Sequence, residues 1–195
     1  MKLGRPDFDT YFMAIAHVVA TRASCDRGPR LRFDPGRSGT GAVITRNNVI
    51  LATGYNGSAP GFPHCDDFKC EVCGKVFTGD EFKDGQNCIA CNPGGSSKEA
   101  VIRGGHEMED GHCVRTIHSE ENAILQCASM GTSCAGATVY VTTRPCYHCM
   151  KRVIRVGVLR VVYEFDYGTD QRSNHLALKA GIQMDKWQAP EGVEL

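Results

Sequence analysis

Two short motifs, His118-Ser119-Glu120 and Pro145-Cys146-Tyr147-His148-Cys149, restrict what this chain can fold into more than any other feature. One neutral imidazole and two thiolates supply three protein ligands to a zinc ion. That leaves the fourth tetrahedral position for water, the open arrangement a catalytic zinc needs. Such a water loses a proton near neutral pH. Glu120, two residues past His118, is placed to move that proton as general acid and base rather than to bind metal. Pro145 suits the first turn of a helix, so Cys146 and Cys149 are expected one turn apart on one face, near the positive end that favours thiolates. A fold carrying both motifs must bring two helix starts to one point. A closed zinc site, or two buried thiols beside a core histidine, is the plainer reading, and the combination of H-x-E with a later P-C-x-x-C weighs against it. His148 is expected to pack or face solvent.

The surrounding pattern has room for that convergence. Asp9 or Thr10 is a candidate cap for a first helix whose apolar face would be Tyr11, Phe12, Ile15, Val18 and Val19. The stretch from Arg27 to Gly41 is rich in Gly, Pro and Arg and reads as loop. Strands are expected at Ala42 to Thr45 and Val49 to Thr53 across the turn Arg46-Asn47-Asn48. Helical spacing returns from Glu120 to Met130 and ends at Gly131. A strand from Ala137 to Thr142, a helix from Pro145 to Val156 and a buried strand from Leu159 to Phe165 follow. A helix from Gln171 to Ala180 and a last strand from Ile182 to Trp187 complete the order. Helices alternating with strands predict an α/β fold: a three-layer α-β-α domain on a five-stranded mixed sheet. The whole of 1–195 reads as one domain with an inserted metal-binding loop at about 64–113.

Composition narrows the partners. Lys plus Arg and Asp plus Glu are 22 each, so the basic footprint of a polynucleotide-binding protein is missing. A small substrate is favoured. No signal-like segment opens the chain and no run is long and apolar enough for a membrane span, so a cytoplasmic protein is expected. Eleven cysteines in a reducing compartment then read as metal ligands, with Cys127 and Cys134 as ordinary thiols.

The insertion holds its own metal pattern. Cys70-x-x-Cys73 and Cys88-x-x-Cys91 are two knuckles separated by fourteen residues, the spacing of a zinc ribbon in which four thiolates close a structural site. Apolar residues here are few, chiefly Val72, Val76, Phe77, Phe82 and Ile89, so metal binding must supply much of the folding energy. Disulfides are the competing reading.

H-x-E with P-C-x-x-C, Gly41-Ala42-Val43-Ile44 before Gly54-Tyr55-Asn56-Gly57-Ser58, and Cys113-Val114-Arg115-Thr116-Ile117 running into His118 resemble the cytidine and deoxycytidylate deaminase family, its deoxycytidylate branch in particular. The likeness spans nearly the whole chain except about 69–101. His118-Ser119-Glu120 departs from the family's usual H-A-E by one small residue. The resemblance implies hydrolytic deamination of dCMP to dUMP in pyrimidine deoxynucleotide metabolism, a homo-oligomer such as a hexamer, and regulation by dCTP and by dTTP with Mg2+. It also implies that Asn56 contacts the nucleotide near its sugar or base and that Tyr167 approaches the phosphate. A turn Asn and a surface Tyr are the ordinary readings of the same residues. Arg27, Arg30 or Arg37, in the stretch from Arg22 to Arg46 that holds six Arg against two Asp, are candidates for the 5′-phosphate. A solvated basic loop is the alternative.

Some members of this branch look similar at a further point, holding a structural zinc outside the active site. Cys25, Cys65, His112 and Cys113 are the residues selected for it here, with His64 as the first substitute. His106, in the loop Gly104-Gly105-His106, is a further candidate, with an exposed loop position as its plainer reading. Two other functions compete with dCMP deamination: a bifunctional dCTP/dCMP or modified-deoxycytidylate deaminase, and a nucleic-acid-binding or editing protein that grips polymer through the ribbon. Balanced charge and an aromatic-poor ribbon argue against the second.

Overall fold

In the computed structural model the chain divides into two compact units, one of Met1–Asn56 with His118–Leu195 and one of Gly57–Ile117. The structure describes residues 5–65, 67–70, 72–78, 88, 90–91, 102–109, 111–168 and 171–190. Phe82 and Ile89, read above as part of the small ribbon core, lie outside them.

The first unit opens with α1 (Phe8–Ala20) and the hairpin β1 (Gly41–Arg46) and β2 (Val49–Tyr55). Asn47 and Asn48 both take positive φ, 52° and 61°, the left-handed pair that a tight two-residue hairpin turn requires. In the second unit come β3 (Gly57–Ser58), β4 (Asp67–Cys70), β5 (Val76–Thr78), β6 (Ile102–Gly104), β7 (Met108–Glu109), β8 (His112–Cys113) and β9 (Thr116–Ile117). The chain then returns to the first unit with α2 (Ser119–Ser129), β10 (Thr138–Thr143), α3 (Tyr147–Arg155), β11 (Arg160–Phe165), α4 (Arg172–Ala180) and β12 (Gln183–Lys186).

The expected five-stranded mixed sheet is present in the order β12-β11-β10-β1-β2. β1 runs antiparallel to β2 and β10, whereas β10, β11 and β12 are mutually parallel neighbours. Alternation along the strands sorts side chains to two faces. Val43, Tyr140 and Val162 point to α1 and pack with Phe12, Met13, Ala16 and Trp187. Ala42, Ile44, Val139, Val141, Val161 and Tyr163 pack on the other face with Ala123, Cys127, Met150, Val153 and Ala177 of α2, α3 and α4. The three layers are therefore α1, the sheet, and α2 with α3 and α4.

Two sequence expectations shift here. α1 is capped by Asp7, whose carboxylate accepts from the Thr10 amide at 2.7 Å, not by Asp9 or Thr10. Its buried face is Thr10, Phe12, Met13, Ala16, His17 and Ala20, while Tyr11 and Val18 are exposed. One cause is close approach: a Cβ on Gly41 would lie 2.2 Å from the Ala16 carbonyl oxygen, so where α1 crosses Gly41 it presents the small residues Ala16 and Ala20. Phe12, Met13 and His17 stay on the buried face, whereas Tyr11 and Val18 turn outward.

In the second unit β4 is the central strand of an antiparallel sheet ordered β5-β4-β6, β3 pairs with β9, and β7 with β8.

Candidate metal centre

His118 is the N-cap of α2 and Cys146 the N-cap of α3. Cys146 thus sits one position before the helix, not in its first turn, and Pro145 precedes the cap. The difference has a use: the Cys146 sulfur accepts from the Cys149 amide at 3.5 Å, which takes up one of the helix's unpaired N–H groups. Cys146 lies on the loop leaving β10, His118 directly precedes α2, and their side chains meet.

His118 Nδ1 stands 3.6 Å from Cys146 Sγ and 3.5 Å from Cys149 Sγ. Zinc bonds of about 2.3 Å to sulfur and about 2.0–2.1 Å to nitrogen put the S···N edge of a tetrahedron at about 3.6 Å. The three side chains therefore fit a zinc ion. His148, inside the Cys pair, is exposed and is not part of the group.

The electrostatics suit the same ion. The Cys146 thiol is drawn down to about 3, first by its hydrogen bond with Cys149 and also by His118. His118 is raised to about 9, first by Cys146 and then by the charge of Glu120. Cys149 is pushed well up by sharing its proton with Cys146 and by burial. A divalent cation competes with these protons, so its uptake releases them and weakens in acid.

Glu120 points from the first turn of α2 and is 5 % exposed. Burial raises its carboxyl above the ordinary value of 4.5, the charge on His118 opposes that shift, and the Ser119 hydroxyl donates to Oε2 at 3.1 Å. A buried carboxyl raised above its ordinary value is suited to carry a proton.

Around this group the remaining residues divide. Tyr167 is raised to about 12, by burial and then by the charges of Cys146 and Glu120, and the charge of Arg27 opposes this. Tyr167 and Arg27 therefore share the electrostatic surroundings of the centre. The Asn56 amide donates to the Cys25 carbonyl and accepts from the Thr40 amide, both at 2.8 Å. Arg37 donates to the carbonyls of Thr21 and Ala23 at the end of α1, and Arg30 to that of Pro35. Those guanidiniums hold loop backbone.

Arg144 is a residue that motif reasoning passed over. It is fully buried directly before Pro145 and donates to the Gln171 side chain and the Tyr167 carbonyl, both at 3.3 Å. It ties the segment after β11 to the cysteine loop. The one available signal is an Arg abutting P-C-x-x-C.

In the second unit Cys65, His106 and Cys113 bring ligand atoms within 4.8 Å of one another, with Cys65 Sγ 3.6 Å from Cys113 Sγ. The histidine is His106, not His112 or His64. β7 pairs Met108 with Cys113 and Glu109 with His112, so His112 and Cys113 are strand neighbours facing opposite sides and cannot both serve one ion. Gly105, at φ 79°, turns the chain that presents His106. Cys25, selected with them, is buried in the first unit. Cys127 and Cys134 are buried in the core and belong to no metal group among the described residues.

Fold and site together define a zinc-dependent enzyme with an open two-thiolate, one-imidazole centre served by a buried carboxyl. The chain belongs to the cytidine and deoxycytidylate deaminase family, whose zinc-binding region matches residues 6–165. It is 34 % identical to ComE operon protein 2 of Bacillus subtilis, over 96 % of this chain and 75 % of that one. It is 30 % identical to the deoxycytidylate deaminase of Mycobacterium phage D29, over 83 % of this chain and 97 % of that one. It spans about half the length of the two yeast deoxycytidylate deaminases it also matches. A dCMP deaminase from cyanophage S-TIM5, solved with dCMP and dUMP, shares the fold with a TM-score of 0.62 at 22 % identity, over 94 % of this chain and 99 % of that one. Among the described residues no helix is long and apolar enough to cross a membrane.

Proposed function

We propose that this chain hydrolyses dCMP to dUMP and ammonia. The observation that carries the reading is Glu120, buried beside the His118, Cys146 and Cys149 group with its carboxyl lifted by burial. Zinc, when bound by those three side chains, supplies Lewis-acid activation of water. Glu120 takes a proton from the attacking water, passes it to N3 of the cytosine, and carries the next to the departing N4. The C4–N4 bond breaks, the water oxygen stays on C4 and ammonia leaves. Ser119 holds the carboxyl in orientation through its hydrogen bond to Oε2.

The choice of a deoxynucleoside monophosphate is supported by the phage D29 relative, matched along almost its whole length, and by Arg27 and Tyr167 near the centre. Asn56, in the strand-exit loop after β2, is the residue that by family resemblance would contact the base or sugar. Regulation by dCTP and by dTTP with Mg2+, and assembly into a homo-oligomer, belong to the same reading and rest on the family resemblance alone.

Ammonia release from deoxycytidine, cytidine, dCMP, dCTP and a cytosine-containing single-stranded DNA tests it. dCMP is expected to exceed the nucleosides and the polymer in kcat/KM by at least about a hundredfold, because a charged site discriminates strongly on a group it was built to bind. Equal turnover of the oligonucleotide would overturn the proposal. Comparable dCMP and dCTP rates would replace it with the bifunctional activity.

A further inference from the structure

The geometry points to a second, closed metal site in the excursion between β2 and α2: we propose that Cys70, Cys73, Cys88 and Cys91 hold one zinc ion as four thiolates. Their sulfurs all lie within 4.8 Å of one another, with Cys70 to Cys91 at 3.6 Å and Cys73 to Cys88 at 3.8 Å. Zinc–thiolate bonds of about 2.3 Å make each edge of a tetrahedral four-sulfur site about 3.8 Å, whereas a disulfide brings two sulfurs to about 2.05 Å. The spacing is that of ligands around an ion.

The first knuckle is shaped for a charged sulfur. Cys70 ends β4, and the backbone N–H groups of Val72 and Cys73 are directed at its sulfur. The Gly74 amide returns to the Cys70 carbonyl at 3.0 Å, and the Cys70 amide donates to the Lys75 carbonyl at 3.0 Å. Gly74 closes this loop at φ 69°, a conformation that a side chain there would strain. Two N–H groups aimed at one sulfur offset the negative charge that a thiolate carries whether or not it is metal-bound.

Four protein ligands leave no position for water, so the site stabilises structure and performs no hydrolysis. Sulfur-only tetrahedra also accept iron, and the ion is therefore identified by measurement. The work left for the metal is visible in Val72, which is 59 % exposed beside the first knuckle and adds little core. The ion holds together what apolar burial here does not.

The test uses the full-length chain, expressed in a reducing cytosol and purified without chelator. Elemental analysis of the wild type and of Cys73→Ser/Cys91→Ser is expected to show one zinc per chain fewer in the variant. Cobalt substitution should show the sulfur-to-metal charge-transfer band of a four-thiolate site in the wild type and its loss in the variant. So that the test does not depend on the variant folding, the unaltered protein carries a second arm: alkylation without reductant, read by peptide mass spectrometry. Cys70, Cys73, Cys88 and Cys91 should be protected together before chelation and become reactive together after it. An unchanged metal count in the folded variant, iron in place of zinc, independent alkylation of the four thiols without chelator, or disulfide-linked peptides among them would overturn the proposal. None of these readouts uses deamination, so failure here leaves the dCMP reading untouched.

Discussion

Gly54 approaches Ser119 so closely that a Cβ on Gly54 would lie 2.2 Å from the Ser119 carbonyl oxygen. β2 and α2 touch backbone to backbone at the residue between His118 and Glu120. Two side chains fix the register of that contact: Asn122 Nδ2 donates to the Tyr55 carbonyl at 2.7 Å, and Gln126 Oε1 accepts from the Thr53 amide at 2.7 Å. The strand edge therefore sets where the start of α2 stands.

Gly54→Ala is expected to push α2 from β2, because the atoms it meets are backbone and cannot rotate away. Overpacking of this kind costs about 1–3 kcal/mol in stability. It should also lower kcat/KM on the order of a hundredfold, since His118 and Glu120 move with the helix. Urea denaturation and steady-state kinetics read the two effects. A destabilised variant with full kcat/KM would show that the Gly54 contact does not position the site.

Glu120→Gln keeps the size and burial of the side chain but cannot take up and release a proton. Metal content should stay at the wild-type value while kcat falls at least on the order of a thousandfold. Substantial residual turnover would remove Glu120 from proton transfer. Loss of zinc would instead assign it to metal binding.

The order of helices and strands was legible because its signals are local. Glycines that stop helices at 131, 157 and 181 do so at positive φ, and Asn47-Asn48 form the hairpin turn that their composition predicts. The grouping of His118, Cys146 and Cys149 was legible too, since zinc chemistry demands it whatever the fold. What escaped depended on contacts distant in sequence. α1 buries Ala16 and Ala20 because Gly41 brings β1 against it, a constraint invisible in the periodicity of α1 itself. His106 displaces His112 because one residue of strand register reverses the face of a side chain. Arg144 shows its role only once Tyr167 and Gln171 fold back over it.

Two arginines of the same basic loop should separate cleanly. Arg37 donates to the Thr21 carbonyl at 3.0 Å and to the Ala23 carbonyl at 2.7 Å. Arg37→Ala should therefore cost about 1 kcal/mol of stability with little change in KM. Arg27 is exposed and its charge reaches Tyr167 beside the centre. Loss of one charged hydrogen bond to a phosphate, about 1.5–3 kcal/mol, should raise KM for dCMP on the order of ten- to a hundredfold in Arg27→Ala. Turnover of deoxycytidine, which lacks the phosphate, should barely change. An equal effect on both substrates would place Arg27 outside phosphate recognition.

Asp9 joins the first turn of α1 to β10 and β11, and the join should fail in acid. Arg160 grips both carboxylate oxygens of Asp9, at 2.8 and 2.7 Å, and donates through Nε to Asp185 at 2.6 Å, while the Tyr140 hydroxyl adds a bond to Asp9 at 2.8 Å. The hydrogen bond from Arg160 chiefly holds the Asp9 carboxyl below its ordinary value of 3.8, with burial opposing. Because the folded-state value is depressed, the stabilisation is fully present above the unfolded value and disappears as pH falls through the folded one. Asp9→Asn should accordingly be less stable than wild type by on the order of 1 kcal/mol near pH 7, a modest figure because both partners are partly exposed to solvent. The gap should hold steady down to about pH 5 and shrink as the pH drops below the ordinary aspartate value. Urea unfolding of both proteins across that range measures the difference, and acid weakening of the metal centre largely cancels because His118, Cys146 and Cys149 are common to both. A gap that stays constant through the acid range would show that the ionised Asp9 carboxylate is not what binds α1 to β11.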